Sequence, residues 1–283
     1  MDDFTLKNKI EELSLYEKAL LCCGASAWTT RALPERGIPS LFMADGPHGL
    51  RVETTGQQRR VAFSFPTTCF PTAGSLACSW DTALLHQVGA ALGQESKRMG
   101  VGMLLAPGVN IKRSPLCGRN FEYYAEDPIL SGHLGAAFVQ GVQEQGVGTS
   151  LKHYAVNSQE TLRLSIDSVV DTRALFDLYL KAFEIVVKES APATVMCSYN
   201  RINGTYASEN HLMLTDILRM QFGFTGAVVS DWGAVNNRAA GIAAGLDLEM
   251  PYSGDENALQ IVNAVEEGAL SENALDAACW NML

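Results

Sequence analysis

Asp231 follows the apolar run Ala227-Val228-Val229 and precedes Trp232 and Gly233. The run suits a short parallel strand buried on both faces, and Gly233 lets the chain turn sharply after it. A carboxylate at the C-terminal end of such a strand is where barrel enzymes keep their chemistry. Locally, a cap on the following helix explains Asp231 equally well. The rest of the chain shifts that balance, because the layout recurs. Gly37 to Ala44 ends on Asp45, Gly148 to Leu151 on Lys152-His153, and Ala193 to Cys197 on Ser198-Tyr199-Asn200. Val101 to Pro107 runs on through Asn110, Lys112 and Arg113 to Gly118-Arg119-Asn120-Phe121-Glu122, a polar tip too long for a purely structural loop. Brought to one face, Asp45, Arg119, Lys152, His153, Tyr199 and Asp231, with Glu160, Arg163 and Glu249 near, would hold a polyhydroxylated molecule. The set has no zinc-ligand spacing, no GxSxG turn and no GxxxxGK[ST] loop. What remains is a carboxylate nucleophile kept ionised by neighbouring cations.

The elements between these tips read as helices. Ser14 and Glu17 have capping-box spacing. A helix is expected from Ser79, as cap, to about Met99, and another from about Ser131 to Gln145. In 172–189, Leu175, Tyr179, Ala182, Phe183 and Val186 share one apolar face. Further helices are expected around 215–222, 255–267 and 272–282. The polar stretch Glu53 to Arg60 reads as a solvent-facing loop. Short buried strands alternating with amphipathic helices predict a parallel α/β architecture. Six or seven units favour a closed (β/α)8 TIM-type barrel, regular or irregular and incomplete, over an open sheet. No GxGxxG turn argues for a dinucleotide fold.

Composition narrows the classes further. The chain has 283 residues, close to the ~250 of one barrel. Its net charge of −10 argues against a nucleic-acid partner. No apolar run reaches the ~18 residues of a membrane helix, and no secretory signal pattern is read at the start. Seven cysteines without metal or CxxC spacing read as reduced core residues of a cytoplasmic protein.

Six ordered blocks, from about residue 10 to about 265, make the chain resemble the N-terminal catalytic barrel of glycoside hydrolase family 3. They are Ala44-Asp45-Gly46-Pro47-His48-Gly49-Leu50-Arg51, Ala106-Pro107-Gly108-Val109-Asn110-Ile111, Gly118 to Glu122 with Glu126-Asp127-Pro128, Lys152-His153-Tyr154-Ala155, Met196-Cys197-Ser198-Tyr199-Asn200, and Val229-Ser230-Asp231-Trp232. The resemblance implies a retaining β-glucosidase in which Asp231 is the nucleophile and Tyr199 orients it. It also implies that Asp45, Arg119, Lys152, His153 and Arg163 bind the hydroxyls of the terminal sugar. Trp232 would face the next sugar or aglycone, and His48 would shape its loop. No metal or organic cofactor is implied. Asp at position 45, where pentosidases of the family carry Glu, favours a β-glucoside over a β-xyloside. The Tyr154-Ala155 continuation after Lys152-His153 argues against the N-acetylglucosaminidase branch.

The chain also departs from the family. Glucosidases of this kind usually take their general acid from an α/β domain that follows the barrel. Residues 1–283 read as the barrel alone, with that C-terminal domain absent and Ala274 to Leu283 diverging from the family. Glu122, Glu160 and Glu249 would be acids only in an unusual arrangement. The expectation is a β-glucosidase barrel completed by a domain or chain outside this one. The alternatives are a truncated, non-catalytic glycan-binding barrel and a β-xylosidase.

Overall fold

The computed structural model describes residues 2–53 and 64–283. The loop expected from Glu53 to Arg60 lies, beyond Glu53, outside the described residues. Five parallel strands pair in chain order: Met43–Asp45, Met103–Leu105, Gly148–Tyr154, Thr194–Cys197 and Ala227–Ser230. The ladder then continues through single bridges. Val229 pairs in parallel with Leu248, and Glu249 with Cys23. Gly24 pairs antiparallel with Thr30, and Thr29 antiparallel with Phe42, next to the first strand. The ring therefore closes as an α/β barrel of the irregular kind, with one antiparallel segment where a regular barrel has a further β/α unit.

Strand periodicity explains what fills the ring. Successive side chains point to opposite faces. Met43, Met103, Leu105, Met196, Val229, Leu248 and Met250 form one buried cluster, the barrel interior. Their strand neighbours Ala44, Leu104, Val195 and Val228 belong to the larger cluster under the helices. The flexible thioethers of four methionines suit an interior of irregular section. The same alternation carries Asp45, two residues beyond Met43, and Asp231, two beyond Val229, to the inner face at the C-terminal rim.

The helices follow the sequence with local differences. The Ser14–Glu17 capping box is formed, opening Leu15–Leu21. Asp81, not Ser79, caps Thr82–Arg98, because Ser79 is taken up by the turn after the short helix Ala73–Ala77 and its hydroxyl donates to Leu76 O. Asp127 starts the next helix at Pro128, earlier than expected, with its carboxylate accepting from Ile129 N and Leu130 N. The expected 172–189 helix is broken by a π turn over Leu175–Tyr179 before Lys181–Ser190. The segment Leu212–Gln221 is also π-helical. Both keep their apolar faces buried, so a 3.6-residue reading finds the face and misses the pitch. Two helices of the outer layer, Thr82–Arg98 and Pro128–Gln143, meet backbone to backbone. A Cβ at Gly89 would overlap Phe138 O, and one at Gly141 would overlap His86 O.

The cysteine reading needs correction. Cys22, Cys23, Cys197 and Cys279 are buried, but Cys69 and Cys78 are exposed and Cys117 is half-buried, on loops and the turn that ends the helix Ala73–Ala77 rather than in the core. All seven are unpaired. Among the described residues no helix is long and apolar enough to cross a membrane.

Candidate active site

The rim brings most of the chemistry-bearing residues together. Lys152 Nζ lies 2.7 Å from Asp45 Oδ1 and 3.6 Å from Glu122 Oε2. Arg119 Nε donates to Glu122 Oε1 at 2.6 Å. Arg119 Nη1 is 3.8 Å, and His153 Nε2 3.7 Å, from Asp231 Oδ2. Lys152 and His153 are consecutive yet both reach the same rim, Lys152 to Asp45 and His153 to within 3.7 Å of Asp231, which a regular strand would forbid. The register of Gly148–Tyr154 against its neighbour shifts between Leu151 and Tyr154, and that irregularity re-aims His153. Asn110 holds the distorted segment. Its side chain accepts from His153 N at 2.7 Å and donates to His153 O at 2.9 Å, as a neighbouring strand would.

The cap reading of Asp231 does not survive, since Asn237 caps the helix Arg238–Ala244. Asp231 Oδ1 instead accepts from Trp232 N at 2.7 Å. Oδ2 is buried and has no hydrogen-bond partner among the described residues. One oxygen is anchored and the other keeps its lone pairs free beside a guanidinium. Burial pushes the Asp231 carboxyl above its ordinary value, and Arg119, Tyr199, the Trp232 amide and Lys152 only partly offset this. The cations therefore moderate a raised pKa rather than hold it low. Burial also raises the Tyr199 phenol, and the adjacent Asp231 charge adds to it, so Tyr199 stays a neutral donor.

Asp45 differs. Burial would raise its carboxyl, but Lys152 outweighs burial and holds it below the usual range. Lys152 is raised in turn: its burial opposes the charge, and Asp45 and Glu122 overcome that. Burial first, then Arg119 and Lys152, push His153 well down, so its imidazole is neutral. Arg163 sits at the edge, its guanidinium 4.7 Å from the centre of the Tyr199 ring and 3.2 Å from Glu160 Oε2. Trp232 packs against Trp28 with ring centroids 5.4 Å apart and the rings tilted by 39°, and its indole N–H donates to Ala27 O. His48 packs edge-on to Phe121.

Glu249 lies away from this group. Its carboxylate accepts from Asn257 and Ser253 and lies 3.7 Å from the buried Arg238. Two polar residues at the rim were given no role by sequence reasoning. Asn110 and Tyr123 both contact His153. Asn110 was visible as the first residue of the long polar tip after Pro107, but not as a brace for a neighbouring strand. Tyr123 carried no signal, because its role depends on a contact 30 residues along the chain.

Residues 32–283 match the model of the Glycosyl hydrolase family 3 N terminal domain. The chain belongs to glycosyl hydrolase family 3. The match runs through the last helix, which corrects the expectation that Ala274 to Leu283 departs from the family. Thermostable beta-glucosidase B of Acetivibrio thermocellus is 51% identical over 98% of this chain and 37% of its own length. An exo-alpha-(1->6)-L-arabinopyranosidase of Bifidobacterium longum is 48% identical over 97% of this chain and 36% of its length. Beta-glucosidase 3B from Thermotoga neapolitana, solved in complex with glucose, superposes with a TM-score of 0.92 at 42% identity, covering 98% of this chain and 41% of that one. This family 3 chain spans roughly a third of the length of the curated relatives it matches.

Proposed function

We propose that this chain is the sugar-binding and nucleophile-bearing part of a retaining β-glucosidase. Asp231 Oδ2 attacks the anomeric carbon of a terminal β-D-glucosyl residue, and the aglycone oxygen leaves with a proton from a general acid. Water then hydrolyses the glycosyl ester, and two inversions give net retention. Asp45, Arg119, Lys152 and His153 bind the sugar hydroxyls, with Arg163 at the edge and Trp232 beneath the aglycone. The observation that carries this reading is the buried, unpartnered Oδ2 of Asp231, 3.8 Å from Arg119 Nη1.

The general acid comes from outside residues 1–283. The carboxylates described here are otherwise engaged: Glu122 with Arg119 and Lys152, Asp45 with Lys152, Glu160 with Arg163, and Glu249 with Asn257. That the relatives are about three times as long supports the same view. Seven unpaired cysteines support a reducing compartment, the cytoplasm.

A second substrate reading rests on the relatives named arabinopyranosidases, at 48% identity. The ring hydroxyls of an α-L-arabinopyranoside could occupy the same charged rim without a hydroxymethyl group. The test uses activated glycosides whose dinitrophenolate leaves without protonation. A 2-fluoro-β-glucoside that adds one fluoroglucosyl unit to the intact mass supports the glucosidase reading. Faster consumption of the α-L-arabinopyranoside than of the β-glucoside favours the second. Sugar binding without turnover of either leaves a glycan-binding barrel.

A further inference from the structure

His153 is 1% exposed and both ring nitrogens are engaged. Arg119 Nη2 lies 2.6 Å from Nε2, and the Tyr123 hydroxyl 3.1 Å from Nδ1. A guanidinium has only donors, so Nε2 must be bare and accept. A neutral imidazole then carries its proton on Nδ1, and the Tyr123 oxygen must receive it. The reverse tautomer would set two N–H donors against each other at 2.6 Å. The charged and titratable groups facing the ring are Arg119, Lys152, Arg163, Asp231 and Tyr123. Three are cations, which oppose a second proton on the ring. Tyr123 itself is fully buried and its ring packs edge-on to the imidazole at 6.0 Å. Its backbone is set by the 3-10 turn Asn120–Glu122, which also supplies the Glu122 carboxylate to Arg119.

We propose that Arg119 and Tyr123 together hold His153 as the Nδ1-protonated tautomer, Arg119 by claiming the Nε2 lone pair and Tyr123 as the positioning residue that receives the Nδ1 proton and fixes the ring, so that Nε2 meets the site as a bare acceptor. Nε2 holds Arg119 in register with Asp231 in the empty site and takes a hydrogen bond from a ligand hydroxyl in the filled one. His153 is thus an acceptor for a sugar O–H, not a donor to a sugar oxygen. The consequence for the ligand rests on the glycoside reading above, whereas the tautomer does not.

The experiment is nitrogen NMR of the histidine side chains in the ligand-free chain, with His153 assigned from the signals lost in His153→Gln. The expected spectrum shows a protonated Nδ1 and a bare Nε2, unchanged between pH 5 and 8. An Nε2–H tautomer, or an imidazolium at pH 7, overturns the proposal. Tyr123→Phe leaves the Nδ1 proton without its acceptor while Arg119 still claims Nε2, so the Nδ1 resonance should move, the Nε2 resonance should stay in the bare range, and glucose binding should weaken roughly tenfold, the effect of about one hydrogen bond. Unchanged shifts in that variant refute the role of Tyr123. Should Tyr123→Phe not fold, 3-fluorotyrosine in place of tyrosine keeps the packing and makes the phenol a poorer acceptor. The His153 Nδ1 resonance must then move, and a fixed resonance overturns the assignment. If the fluoroglucoside fails to label the chain while the tautomer is as expected, the glycoside reading alone falls.

Discussion

Lys152 is shared between two carboxylates of different exposure, and this makes their removal distinguishable. Asp45 accepts from Lys152 Nζ at 2.7 Å but leaves 36% of its side chain open to solvent. Glu122 is 5% exposed, 3.6 Å from Lys152 and 2.6 Å from Arg119. Removing one partner of a buried ion pair costs about 3–5 kcal/mol, because the other charge is left uncompensated. Glu122→Gln affects two buried cations and should cost roughly that amount. In Asp45→Asn the amide oxygen can still accept from Lys152, water reaches the site, and Glu122 remains as counter-ion. Its cost should be about 1–2 kcal/mol, near that of one charge-assisted hydrogen bond. The double variant leaves Lys152 with neither carboxylate and should be less stable than the sum by about 1 kcal/mol or more. Urea denaturation at pH 7 measures all three, provided the slope with denaturant is unchanged. Sugar affinity should rank the other way in severity per unit of stability lost: Asp45→Asn loses glucose binding while staying folded. If Asp45→Asn destabilises as much as Glu122→Gln, or the two costs add without coupling, the division between ligand-facing and supporting carboxylates is wrong.

Asp231→Asn removes a buried charge whose folded pKa is raised. A raised carboxyl favours folding only once protonated, so at neutral pH the charged form is a burden. The variant should therefore melt higher than the wild type at pH 7, with the advantage shrinking as pH falls through the folded pKa toward 3.8; equal melting temperatures across that range would contradict the assigned burial. The rate of labelling by an activated fluoroglucoside should fall on the acid side with an apparent pKa above 3.8, since only ionised Asp231 attacks. Gly141→Ala forces apart two helices that touch through backbone, and thermal denaturation should show a loss of about 1–3 kcal/mol. Trp232→Ala removes the face packed against Trp28 and should weaken binding of an aryl glucoside more than that of glucose; equal weakening in titrations of the two ligands would remove Trp232 from the aglycone site.

The candidate site was largely legible because strand tips declare themselves. A short apolar run ending on a charge places that charge at a rim whatever the barrel's closure, and this singled out Asp45, Lys152 and Asp231 as candidates. What the sequence hid depends on contacts between distant segments. Burial outweighs the cations at Asp231, which no local pattern records. Glu122 reads as a tip carboxylate but is locked beneath two cations. The strand irregularity after Leu151, and the Asn110 amide that braces it, appear only when the two tips are side by side. The helices were placed to within a few residues where a cap decided the boundary. They were missed in pitch at Leu175–Tyr179 and Leu212–Gln221, where tertiary packing overrides helical period.

The proposed mechanism stands on Asp231 Oδ2 as the nucleophile of an assembled sugar pocket. Incubation with a dinitrophenyl 2-fluoro-β-glucoside, followed by intact mass and peptide mapping, tests it without needing a general acid. One fluoroglucosyl unit is expected on the peptide holding Asp231, and none in Asp231→Ala. A folded chain whose mass does not change, or a label on any other carboxylate, would contradict it.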